Sequence, residues 1–273
     1  MKGMIRLWAA TLLGSSLLAN AQTDLPHHAI PGGVIPIVVP ENADVRLNDR
    51  KILLAPPSNA DGDWHAMVGV PLSAGTTLEV SVNGNPTTLN LDNFAYQEQH
   101  IQIKEKRKVN PQKNDMDRIG REYNQMTPVY KSYSPELTPD WHQMILPTQG
   151  PYSSAFGLKR FFNGQARKPH SGIDIAAPEG TPIIAPAGGT VALTGDFFFN
   201  GKSVFIDHGQ GLISMMCHLS QIDVKEGDKL SQGDLIGAVG KTGRATGPHL
   251  HWTVSLNNAR VNPKLFLLPD QPR

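Results

Sequence analysis

GRATGPHLHWTV, residues 243–254, sets two histidines two positions apart, between a Gly-Pro step and an apolar, β-prone run. Side chains along an extended strand alternate between faces, so His249 and His251 share one side while Leu250 and Trp252 take the other. The stretch therefore predicts a strand with one apolar face for a core and one face that carries imidazoles. The surrounding sequence has the same grain. Residues 183–184, 190–193, 203–207, 212–218, 235–239 and 250–256 are short apolar runs punctuated by glycine, which predicts a compact antiparallel sheet.

The N-terminal half is also built of short alternating runs, at 34–39, 45–54 with a break at Asn48-Asp49, 64–70, 78–82, 87–91 and 94–103. Asn83-Gly84 reads as a hairpin turn, because both residues tolerate positive φ. These runs predict a small β-sandwich-like domain over residues 30–109, with His27, His28, His65 and His100 scattered through it as surface or packing side chains. The charged run 104–108 reads as a solvated end to that β region. Met116, Ile119, Tyr123 and Met126 then recur with helical spacing between Asn114-Asp115 and Pro128, predicting one amphipathic connecting helix with a core-facing stripe. Residues 129–147 carry Pro135, Pro139 and Pro147 and read as a linker, so helix and linker occupy 110–148. The C-terminal sheet domain fills 149–268. The fold class is mainly β.

Composition excludes some functions. With 25 basic against 24 acidic side chains and a net charge of +1, the chain lacks the basic surface a nucleic acid requires. The start of the chain has Lys2 and Arg6, an apolar stretch over 7–19 and then Ala19-Asn20-Ala21. This predicts a Sec signal peptide (residues 1–21) cleaved after Ala21, hence a periplasmic or secreted protein with no stable membrane span afterwards. Cys217 is the single cysteine, which leaves no intrachain disulfide to form.

The chemistry concentrates in three phrases: KPHSGIDIAAPEGTP, MMCHLS and GPHLHWTV. In the first, His170 and Asp174 stand four apart, and on an extended segment that spacing again shares a face. Two imidazoles and a carboxylate would make a three-donor set with a fourth position open to water, the pattern of catalytic zinc. By alternation Cys217 should point away from His218 and be buried, and His208 should fix a Gly turn. Residues 224–240 are similar to half of a lipoyl carrier barrel, but Lys229 lacks the setting of a modified lysine.

With Ser153, Ser154, Phe156 and Gly157 upstream, these motifs resemble the M23 (lysostaphin and LytM-type) zinc endopeptidases that cut peptidoglycan peptides, over roughly residues 149–266. The resemblance implies an antiparallel LytM/M23-type catalytic domain with one zinc ion held by His170, Asp174 and His251, and catalytic roles for His218 and His249. It implies peptidoglycan peptide stems as substrate; the periplasm suggests the D-alanyl–meso-diaminopimelate cross-link, with glycine bridges the alternative. Relatives often carry Tyr two residues before the isolated histidine, where this chain has Met216. A non-catalytic M23-like regulator of other cell-wall hydrolases is the rival reading, and the N-terminal domain could bind substrate, bind a partner or cover the groove.

Overall fold

The computed structural model describes residues 26–57, 59 and 61–269, so the expected signal peptide lies outside the described residues. Among those described, no helix is long and apolar enough to cross a membrane. The protein is mainly β, with predominantly antiparallel sheets.

In the N-terminal half, Trp64–Gly69 lies between Val34–Val39 and Leu53–Ala55, and Thr77–Val82 lies between Val45–Leu47 and Asn85–Asn90. The hairpin turn sits at Asn83-Gly84, with φ of 50° and 81°, the double positive φ of a tight turn matched to strand twist. Ile35, Val45, Ile52, Val68 and Val80 fill the core between these sheets. The opposite face is equally apolar: Val34, Leu53, Ala55 and Met67 join the same buried cluster as Trp252 and Phe266. At Gly69 a β-carbon would meet the Leu256 carbonyl at 2.6 Å, so the two halves touch backbone to backbone. Of residues 129–147, read from their prolines as a linker, 129–131 continue the helix and the rest bury Trp141, Met144 and Leu146 in that cluster.

The C-terminal half centres on an eight-stranded sheet. Its long strands run Gly189–Phe197, Gly201–Gly209, Leu212–Leu219, His249–Leu256, Ile173–Ala176, each paired with the next. Every residue of Leu212–Leu219 is buried, because both faces are covered. Leu212 and Met216 face the main core, while Ile213, Met215 and Cys217 meet Phe205 and Tyr130 on the other side. Each large apolar side chain so enclosed contributes about 1.5–3 kcal/mol of burial free energy.

The helix runs Lys113–Lys131 with a Gln112/Asp115 capping box, and it continues through Pro128 instead of stopping there. Its phase also differs from the expected one. Asp115, Glu122 and Tyr130 are buried, while Met116 is 54% and Tyr123 61% exposed. The buried face lies about one residue, or 100°, round the helix from the expected stripe, with Met126 half-buried at its edge. The buried carboxylates are satisfied: Asp115 pairs with Arg107, and Glu122 accepts from Arg118 and from the Phe198 amide at 2.8 Å. Paired in this way, a charged group can sit where an apolar one was expected. The charged run is likewise no free strand end: Lys106–Val109 forms a helical turn, and Lys108 Nζ donates to the Phe198 carbonyl at 2.6 Å.

Candidate metal centre and active-site groove

Asp174 on Ile173–Ala176 lies directly opposite His251 on His249–Leu256. Cross-strand partners project to one face with β-carbons about 4.5–5.5 Å apart, so register alone brings this carboxylate to this imidazole. Gly172 makes room for the approach: a β-carbon there would fall 2.3 Å from the Trp252 carbonyl and 2.9 Å from the His251 ring. His170 precedes the strand in an irregular segment held at both backbone groups. Its N–H donates to the Leu158 carbonyl at 2.9 Å and its carbonyl accepts from Gly157 at 2.8 Å.

Three donor atoms converge. His170 Nε2 is 3.0 Å from Asp174 Oδ1 and 2.9 Å from His251 Nδ1, which is itself 2.7 Å from Asp174 Oδ1. His170 Nδ1 faces the Ala155 carbonyl at 2.6 Å, and a carbonyl can only accept. That bond places the proton on Nδ1 and leaves Nε2 as a lone pair aimed at a carboxylate oxygen and a second ring nitrogen. His251 Nε2 has the Thr253 hydroxyl at 2.9 Å, so this ring too can spend its proton away from the cluster. Lone pairs and a carboxylate in mutual contact call for a cation between them, and outer partners that fix each ring are the usual support of a metal site. His170, Asp174 and His251 are the one group of this kind among the described residues, and they could hold a metal ion.

The electrostatics agree. Burial alone would raise the Asp174 pKa, but His170 and His251 draw it well below the usual carboxylate range. Burial pushes His251 down to about 4, so its ring is neutral and able to ligate at neutral pH.

His249 and His218 stand beside the cluster. His249 Nε2 is 4.0 Å from Asp174 Oδ1, and its Nδ1 donates to the Gly247 carbonyl at 2.8 Å. His218 Nδ1 donates to the Thr242 carbonyl at 2.8 Å, and burial followed by the neighbouring His249 and His251 lowers its pKa to about 3. Both rings thus turn Nε2 lone pairs to the interior. The structure corrects one expectation here. Cys217 is the cross-strand partner of His251 and lines the same cavity as His218, not the opposite face. The cause is His218 itself, whose φ of +67° breaks the alternation. Left-handed backbone at a non-glycine residue costs of order 1–3 kcal/mol and gathers at functional sites. Cys217 is buried, as expected, and burial pushes its thiol pKa well up. His208 is also buried, with Nδ1 on the Gly188 carbonyl at 2.6 Å and Nε2 on Ser214 at 2.8 Å.

The free oxygen of Asp174 is taken by Arg160, at 2.8 Å. Arg160 Nε donates to Gln99 Oε1 at 3.1 Å, and Gln99 Nε2 donates to Ser154 at 2.8 Å. Gln99 arrives because the N-terminal strand Glu98–Ile101 pairs in parallel with Lys159–Phe162. Arg160→Ala is expected to weaken metal affinity about 10- to 100-fold, the usual cost of removing such a partner, and Gln99→Ala less. Competition with a chelator measures this; unchanged affinity in Arg160→Ala would contradict the coupling.

A groove of about 620 Å³ opens over the cluster, lined by His218, His249 and His251 and, from the helix, by half-buried Ile119 and Met126 and exposed Tyr123. Three of the four residues of the stripe expected to face the core line this groove, Met126 packing against the Tyr130 cluster as well, while Met116 is exposed elsewhere.

Comparison with known proteins agrees with the site. The model of peptidase family M23 matches residues 168–263, which contain all five site residues. A crystal structure from Pseudomonas aeruginosa assigned to peptidase M23 is 38% identical, with TM-score 0.73, and covers 88% of this chain and 96% of that one. The chain belongs to peptidase family M23. Among curated relatives, the DD-carboxypeptidase/endopeptidase Mpg of Neisseria meningitidis is 41% identical over 117 residues, 43% of this chain and 27% of that protein. The peptidoglycan DD-endopeptidase ShyC of Vibrio cholerae is 43% identical over 120 residues, 43% of this chain and 28% of its own length. The match thus spans little more than a quarter of the length of those relatives.

Within this M23 chain, sequence reasoning missed Arg160, Gln99, Thr253 and the groove-lining helix face. Thr253 could have been found, since it follows His251 by two on the same strand face. Arg160 and Gln99 depend on a strand pairing across 61 positions, which no local pattern signals.

Proposed function

We propose that this chain is a zinc-dependent endopeptidase that hydrolyses peptide cross-links of peptidoglycan outside the cytoplasm, at the D-alanyl–meso-diaminopimelate bond. The observation that carries this reading is the buried two-nitrogen, one-oxygen donor set flanked by two further imidazoles in an open groove. The names of the curated relatives supply the substrate class. Residues 149–268 form the peptidase unit, and residues 30–109 an accessory β unit that reaches the site through Gln99.

When bound by His170, Asp174 and His251, zinc supplies a Lewis acid for the scissile carbonyl and brings the pKa of water towards about 7. The two ligand histidines serve neutral, with their protons committed to Ala155 and Thr253. Asp174 serves ionised, with Arg160 holding its second oxygen so that Oδ1 keeps its aim. His249 accepts the proton of the attacking water at Nε2 and, protonated there, donates it to the departing amine, while His218, whose lowered pKa disfavours the protonated ring, orients that water through its Nε2 lone pair. The chain has no glutamate in an H-E-x-x-H setting, so imidazole carries this work.

The full chain, loaded with zinc, should convert dimeric to monomeric peptide stems in purified peptidoglycan, lose that activity to a chelator and regain it with zinc. A folded protein that binds no zinc and releases no peptide would overturn the reading in favour of a binding or regulatory role.

A further inference from the structure

Arg244 is a cation of the groove that the site chemistry leaves unused. Its guanidinium lies half-buried in the groove, 4.7 Å from the Phe162 ring and 4.4 Å from the Phe199 ring. Among the described residues its side chain has a single polar contact, Nη1 to the Lys108 carbonyl at 3.5 Å, too long for a good hydrogen bond. No carboxylate pairs with it among the described residues. Arg46, Arg107, Arg118 and Arg160 each have a carboxylate, and Arg167 donates to four oxygens; Arg260, which also lines the groove without a carboxylate among the described residues, donates to Ser255 Oγ at 3.1 Å and to the Asn258 carbonyl at 3.2 Å. The two acids that line the groove are already engaged, Asp174 by Arg160 and the two histidines and Glu122 by Arg118 and the Phe198 amide.

Two aromatic faces hold a guanidinium plane in one orientation, and a fixed fork of N–H donors suits a carboxylate better than any other common anion in a peptide. Resting on the peptidase reading, we infer that Arg244 is a specificity residue that receives the substrate carboxylate borne on the carbon next to the scissile nitrogen. In a D-alanyl–meso-diaminopimelate cross-link, the diaminopimelate centre acylated by D-alanine carries such a free carboxylate, two bonds from the leaving nitrogen. A glycine bridge carries none there. An arriving anion also relieves a strained charge, since burial and the nearby Arg160 and Arg167 push the Arg244 pKa down to about 10.

The test uses the zinc-loaded full chain and two cross-linked peptides that differ only in whether this carboxylate is free or a carboxamide. Charged hydrogen bonds of this kind set the expected preference of the native protein for the free acid at about 10- to 100-fold in kcat/KM. Arg244→Gln should remove the preference by lowering the acid to the level of the amide, with zinc content and melting temperature kept, and Arg244→Lys should restore part of it. Equal rates on both peptides by the native protein, or an equal loss on both in Arg244→Gln, would overturn the assignment. If the native protein cleaves neither peptide, the peptidase reading fails, and calorimetric binding then decides the role of Arg244. Tighter binding of the acid than of the amide, lost in Arg244→Gln, supports it, and equal binding overturns it.

Discussion

His249→Ala is expected to keep its zinc and to lose peptide hydrolysis by about 10²- to 10⁴-fold, the range for removing a positioned proton-transfer group. The geometry divides the labour between two histidines of one strand face. His251 Nδ1 lies 2.7 Å from Asp174 Oδ1, inside the donor cluster, whereas His249 Nε2 is 4.0 Å from the same oxygen. His249 is close enough to reach a water held at the cluster and too far out to belong to it. Metal analysis of the purified variant, with initial rates on a cross-linked peptide, checks both halves of the expectation. Loss of zinc in His249→Ala would exchange the roles assigned to His249 and His251.

Asp174→Ala should abolish hydrolysis outright and also destabilise the protein. The first effect follows from taking one donor from a three-donor site. The second comes from Arg160, whose side chain is 17% exposed and pairs with Asp174 at 2.8 Å. Leaving such a charge without its partner costs about 3–5 kcal/mol, even after Gln99 and Ser154 retain their contacts with the guanidinium. Denaturant titration reads the stability and metal analysis the site. Asp174→Ala that unfolds at the native midpoint would mean that solvent, not Asp174, supports Arg160.

The parts of this molecule that were legible in the sequence are those set by local periodicity. Alternation placed His249 and His251 on the groove side with Leu250 and Trp252 in the core, and the Asn83-Gly84 turn and most C-terminal strands follow from the same rule. Local rules failed where a tertiary contact outweighed them. The helix buries Asp115 and Glu122 because Arg107, Arg118 and a backbone amide satisfy them, which turns its apolar stripe toward the groove. At His218 the left-handed backbone brings two successive residues to one cavity. Gln99 and Arg160 meet only through a parallel pairing between the two halves of the chain, and the prolines of residues 132–147 conceal three core side chains.

The most direct test of the account is a crystal structure of the zinc-loaded protein with an anomalous difference map at the zinc edge. One peak is expected in contact with His170 Nε2, Asp174 Oδ1 and His251 Nδ1, with His218 and His249 Nε2 facing it from outside the ligand shell. A map with no peak there, or with His249 in place of His251 as a ligand, would contradict it.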